Sequence, residues 1–263
     1  MLVTHVLLDA FTVYGTQIFW PLTPTPESWA AVFIIDPVYT VPLLVAVLFA
    51  ALAGLAGPGV RVLTWVLVFS TAYLGFGLGN RVLAEHRVSQ VLRDQGVAIT
   101  ALRAVPMPIN TLVWRVIAKT PDGQQIEAVS SLFDRSAPEW VYLPRQSGSN
   151  HVLKGVLLYE RLRWFTGDWL RHDVVGDALV VSDLRMGIAG QYTFRFKMAQ
   201  CDAQSGQWQV VTPSAWPSLR PGMDELKPIL ARITRQQPAL PLAGWVDTFL
   251  EKPDASRPPS ACS

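Results

Sequence analysis

Two uncharged apolar runs with one tight break between them constrain this chain more than any other feature. The first, VYTVPLLVAVLFAALAGLAG (residues 38–57), carries no charge, and the second, VLTWVLVFSTAYLGFGLGN (residues 62–80), is bracketed by Arg61 and Arg81. A bilayer core about 30 Å thick takes about 20 apolar residues at about 1.5 Å each, and both runs have that length. Buried helices of soluble proteins rarely run uncharged so far. GPGV (residues 57–60) breaks the chain between them, so an antiparallel helical hairpin is expected.

The rest of the composition divides at the same place. The chain has 263 residues, half of them hydrophobic, and a mean hydropathy of +0.27. Of its 22 Lys+Arg and 20 Asp+Glu, residues 1–80 hold only Arg61, Asp9, Glu27 and Asp36. The first part is net negative and the remainder net positive, which marks a membrane part followed by roughly one soluble domain. No basic n-region with a cleavage site opens the chain. Cys201 and Cys262 lie far apart and suggest no disulfide framework, which fits a reducing compartment. Arg81, Arg87, Arg93 and Arg103 follow the second run. By the positive-inside bias they assign the soluble part to the cytoplasmic side of a multi-pass membrane protein.

Residues 1–20 read as a further apolar helix that stops at Trp20-Pro21, before the proline-punctuated loop PLTPTPES. WAAVFIID (residues 29–36) is too short to span. Asp36 before Pro37 is a helix-start signal. After Asn80 a stalk helix is expected to run to VPMPIN (residues 105–110). A β-hairpin around Pro121-Asp122-Gly123, a helix at 150–165, strands at 177–184, 191–200 and 207–211, and a helix at 223–236 follow. The fold expected is a membrane α-helical part of two transmembrane helices plus an apolar first helix (residues 1–83). A soluble α+β domain with a small, mostly antiparallel sheet (84–251) and a disordered tail (252–263) complete it. Trp114, Trp140, Trp164, Trp169, Trp208 and Trp216 read as core or rim. The even charge balance speaks against a nucleic-acid partner. The expected partner is the lipid bilayer. Two spans and one ambiguous helix are too few for a transporter unless the chain forms a homo-oligomer.

One polar stripe remains on the first helix. His5, Asp9, Thr12 and Thr16 fall at i, i+4, i+7 and i+11. A histidine and an aspartate one turn apart can hold an edge of a metal ion, or the carboxylate can orient the imidazole as a base. They can equally be a hydrogen-bonded pair that packs helices. Two ligands do not make a zinc site, and Asp36, Glu27 and His86 have no diagnostic spacing as a third. His86 reads as a stalk residue, and His151 and His172 as loop or edge residues. Asp183 and Arg185 read as a salt bridge at a strand end, or as the hold on an anionic ligand.

HVLLDAFTVYGTQIFWPL with VFIIDPVYTVPLL resembles the YdjM-type family of inner-membrane-bound metal-dependent hydrolases. The likeness continues through PMPINTLVWRV, LRWFTGDW and VVSDLRMG. In its membrane part that family is similar to helical zinc-dependent phospholipase C and nuclease-like hydrolases. The resemblance implies a divalent metal, zinc by preference, with His5 and Asp9 as ligands. Asp36 is a secondary candidate as ligand or catalytic base, and Tyr14 and Thr16 would orient the ligands. It implies hydrolysis of an ester or phosphoester by metal-activated water. The family's further H-R-G-x-T-H-S motif is not in this sequence. The rival expectation is a non-catalytic membrane anchor presenting an interaction domain.

Overall fold

Asp36 starts the first long helix as its position before Pro37 predicts. Its Oδ1 accepts from the amides of Val38 (2.9 Å) and Tyr39 (3.3 Å), a cap worth about 1 kcal/mol. The computed structural model describes residues 2–55, 57–146, 148–218, 222–250 and 262. Its helices are α1 (Leu2–Ala10), α2 (Pro37–Ala53), α3 (Pro58–Asp94), α4 (Leu157–Thr166), α5 (Met223–Arg232) and α6 (Leu242–Phe249). Its strands are β1 (Ala101–Pro106), β2 (Val113–Lys119), β3 (Gln125–Ser131), β4 (Glu139–Tyr142), β5 (Leu170–Val175), β6 (Ala178–Ile188), β7 (Gln191–Asp202) and β8 (Gln207–Ala215).

The helical hairpin exists, but two clear spans do not follow from it. α3 is long and apolar enough to cross a membrane, and only 11% of its apolar window is buried, so it is not a soluble core helix. α2 has 17 residues, about 26 Å of rise against a hydrocarbon core of about 30 Å. It ends at Gly54, whose φ of +83° leaves the helical region. Along the hairpin Val41, Leu44, Val47, Leu48, Trp65 and Leu67 are exposed; large apolar patches mark membrane or protein contact surfaces. The first helix is also shorter than expected. It stops at Ala10, and residues 11–36 double back, pairing Thr16 with Glu27. Gly15 makes that turn possible: its φ is +80°, and a Cβ there would meet the Glu27 carbonyl oxygen at 2.6 Å.

The C-terminal part is two four-stranded antiparallel sheets, β1-β2-β3-β4 and β5-β6-β7-β8, rather than one small sheet. The expected hairpin is present, with Lys119 paired to Gln125 across a turn in which Gly123 has φ +79°. Strand parity builds two cores from the first sheet. Trp114, Val116, Ala118, Ile126 and Ala128 pack on Ala84, Val88 and Leu92 of α3. Val113, Ile117 and Val129 face Leu184, Ile188 and Tyr192 of the second sheet, with Ile229 of α5 and Trp245 and Val246 of α6. A third cluster joins Tyr159 of α4 to Leu170, Leu179, Val181 and Met198.

Three other expectations are corrected. The helix at 150–165 is divided into a 3-10 turn (Gly148–Leu153) and α4, because Gly155 with φ +80° interrupts it. The stalk ends at Asp94, and residues before VPMPIN form β1. Cys201 and Cys262 are not unpaired: they form a disulfide with Cα atoms 5.8 Å apart. Trp208 Nε1 on β8 donates to the Cys262 carbonyl oxygen at 2.7 Å, which holds Cys262 beside the end of β7. Apart from Cys262, the tail expected to be disordered lies outside the described residues.

Candidate functional site

Helix α1 does what the i, i+4 spacing requires. His5 Nε2 and Asp9 Oδ2 are 3.4 Å apart, and their side chains are 75% and 46% exposed. The accessible pair therefore has not been absorbed into a packed helix interface among the described residues. The helix end holds it in place: the Phe11 and Thr12 amides donate back to the Leu8 and Asp9 carbonyls, and Thr12 Oγ1 donates to the Asp9 carbonyl at 2.7 Å. Thr16 leaves the expected stripe because the helix has already ended.

Asp36 lies elsewhere. It is 1% exposed. While Oδ1 caps α2, Oδ2 accepts from the Tyr73 hydroxyl at 2.9 Å. That hydroxyl lies 2.7 Å from Thr111 Oγ1, and Asn80 Nδ2 donates to the Thr111 carbonyl at 3.1 Å. One carboxylate thus connects α2, α3 and the loop between β1 and β2. Among the described residues no group of three or more His, Cys, Asp or Glu is arranged to hold a metal ion. His5 and Asp9 supply two donors of suitable type, which is half of a four-coordinate set, so the pair by itself does not complete a metal centre.

Of the remaining candidates, Tyr14, Asp183 and His172 are engaged in structure. The Tyr14 carbonyl accepts from Arg185 Nη1 at 3.1 Å, and its ring packs on Phe194. Burial, and then the Asp183 carboxylate, push the Tyr14 phenol up to about 12, so it is a neutral O–H. Asp183 and Arg185 form the buried salt bridge that the sequence suggests, at 2.8 Å. His86 is exposed on α3, and His151 Nδ1 lies 3.0 Å from the Gly148 carbonyl. His172, on the edge strand β5, is buried. Its Nε2 meets the Tyr159 hydroxyl at 3.0 Å and its Nδ1 meets Gln146 Oε1 at 3.3 Å. Burial lowers it to about 4, so it is neutral at ordinary pH.

Sequence reasoning misses three features that the fold assembles. One is the Tyr73 hydroxyl contact; a phenol within an apolar run was the available signal. The second is Arg115, fully buried between the sheets on Glu127, with its Nη atoms donating to the Leu184 and Gly187 carbonyls. The third is a group of three arginines, Arg81, Arg103 and Arg185, where residues 11–36 meet α3 and both sheets.

Residues 1–84 match the family described as YdjM inner membrane protein, which bears out the resemblance over that part of the chain. No curated protein and no solved structure matches the chain.

Proposed function

We propose, with residues 1–84 taken as a YdjM-type membrane part, that this protein is a membrane-bound metal-dependent hydrolase of an ester or phosphoester. The observation that carries the reading is the His5–Asp9 contact of 3.4 Å on an accessible helix face within the matched segment. Ionisable groups beside lipid are expensive and tend to be retained for a purpose. His5 and Asp9 would hold one edge of a divalent ion, zinc by preference, whose chemistry when bound is to activate water. The remaining ligands would come from outside the described residues, or from a second copy in a homo-oligomer. Asp36 is the second candidate, as a base whose carboxylate already meets the Tyr73 hydroxyl.

A second reading draws on one specific observation, that no third ligand joins His5 and Asp9 among the described residues. In that reading the protein is a membrane anchor for its two-sheet domain. Metal content separates the two. Detergent-purified wild type and the His5→Ala/Asp9→Ala double variant are compared by elemental mass spectrometry. Near-stoichiometric metal in the wild type, lost in the double variant, supports the hydrolase; no metal in either supports the anchor.

The side of the membrane is a separate proposal. Arg81, Arg87 and Arg93 at the exit of α3 favour a cytoplasmic soluble domain. The Cys201–Cys262 disulfide favours an oxidising compartment. A C-terminal alkaline phosphatase fusion decides between them, being active only when the domain is exported.

A further inference from the structure

Burying an ionised group costs several kcal/mol unless a partner of opposite charge accompanies it. The arginine group at the junction meets that requirement for two of its three members. Arg81 Nε donates to Glu85 Oε1 at 3.0 Å, and its Nη1 donates to the Trp29 carbonyl at 2.8 Å. Arg185 donates to both oxygens of Asp183 from Nε and to Oδ2 from Nη2. Both carboxylates are engaged further: Glu85 Oε1 also accepts from the Ala104 amide, and Asp183 Oδ1 from the Arg185 amide.

Arg103, on β1, is the odd cation. Its Nη2 donates to Ser28 Oγ at 2.6 Å, an uncharged partner. Its Nε is sealed from solvent and makes no hydrogen bond. Burial, with Arg185 and Arg81 nearby, lowers its guanidinium to about 10 despite Asp183 and Glu85. Ser28 and Trp29 on one side, and Arg103 and Ala104 on the other, are joined through Arg81 and Glu85 into one ring of hydrogen bonds. Three guanidinium groups share two carboxylates there. The ring sits at the exit of the apolar hairpin, where phosphate headgroups of a bilayer would lie.

We propose that Arg103, flanked by Arg81 and Arg185, binds a phosphate-type anion at this junction, either a lipid headgroup or a soluble phosphate. A guanidinium fork matches phosphate geometry, and a phosphate would supply the charge that the ring lacks. This inference stands without the metal reading, since none of its residues is a candidate ligand.

The test uses the full chain in neutral detergent. The melting midpoint is followed against inorganic phosphate, against phosphatidylglycerol, and against phosphatidylcholine as control, in wild type and Arg103→Gln. The wild-type midpoint is expected to rise saturably with at least one of the two anions. Arg103→Gln is expected to bind it about tenfold more weakly or worse, as loss of a charge-assisted hydrogen bond implies, with an unliganded midpoint no lower than wild type. A response to phosphatidylglycerol alone assigns a lipid headgroup; a response to inorganic phosphate assigns a soluble phosphate. No wild-type response to either anion, or an equal response in Arg103→Gln, overturns the proposal. Should Arg103→Gln fail to fold, Arg103→Lys keeps the charge without the fork, and an affinity equal to wild type overturns it.

Discussion

Glu127→Gln is a sharp probe of how the two sheets are joined. Arg115 and Glu127 are each 1% exposed, and the two hydrogen bonds between them are the only charge pairing that Arg115 has among the described residues. Burial works against the Arg115 charge, and Glu127, by its charge and hydrogen bonds, outweighs it and holds the guanidinium above its ordinary range. Glutamine keeps the shape and can still accept from Tyr192, whose hydroxyl donates to Glu127 Oε1 at 3.0 Å. The charge is lost, and with it the acceptor for Arg115 Nε, which would then face the amide NH2, donor against donor. Leaving a buried cation uncompensated costs about 3–5 kcal/mol. For a domain of this size each kcal/mol moves the midpoint by about 2–4 °C, so a drop on the order of 10 °C is expected. The double variant Arg115→Met/Glu127→Leu removes both charges and should lie closer to wild type than Glu127→Gln does. Thermal unfolding in detergent followed by near-ultraviolet circular dichroism reads both. A Glu127→Gln midpoint within about 1 °C of wild type would refute the reasoning, as would a double variant less stable than Glu127→Gln.

Other outcomes follow from the same packing. His172 is held down to about 4 by burial, below its ordinary 6.5, so the unfolded chain takes its proton first as pH falls. Its contribution is therefore complete above about pH 6.5 and declines between there and pH 4, by up to about 3 kcal/mol, and denaturant midpoints of His172→Gln should lose that part of the slope. A Cβ on Gly77 would lie 2.1 Å from the Ala31 carbonyl oxygen, whereas one on Gly75 meets nothing within 4 Å. Gly77→Ala should cost about 1–3 kcal/mol in thermal melts and Gly75→Ala nothing. The Cys201–Cys262 bond closes a separation of 61 residues. Cys201→Ser should lower unfolding stability by about 2–4 kcal/mol, and native, unreduced protein should show no reactive thiol in a thiol titration.

What could be read in advance was whatever is encoded locally. Asp36-Pro37 starts α2 because an aspartate cap and a proline in the first turn are both next-neighbour effects. The turn at Gly123 and the strands around it follow from a glycine with positive φ between β-prone runs. His5 and Asp9 meet because one helical turn suffices. The apolar run of residues 1–20 misleads because hydrophobicity alone does not say where a helix stops; the chain turns at Gly15 to meet Glu27, a contact twelve residues away. The charged residues were hardest. Arg103 reads as part of the stalk helix and Arg115 as a charge within a β-prone run, and their hydrogen bonds reach Ser28 and Leu184, 75 and 69 positions distant. Cys201 and Cys262 likewise meet across a separation of 61 residues, with Trp208 of β8 holding the Cys262 carbonyl.

Helix α3 runs unbroken from the apolar hairpin into the core of the first sheet. Its 37 residues make a rod of about 55 Å, with Leu92, near its far end, fully enclosed. No hinge separates its exposed apolar half from the half that packs on the first sheet. The rod is therefore a lever. Helices respond to a bilayer of unsuitable thickness by tilting, on average by about 20°. Over the roughly 30 Å from Tyr73 to Asp94, that tilt would swing the sheet by about 10 Å. With the hairpin seated in a bilayer as proposed, the two-sheet domain would inherit its inclination, and bilayer thickness would set the domain's attitude above the membrane surface.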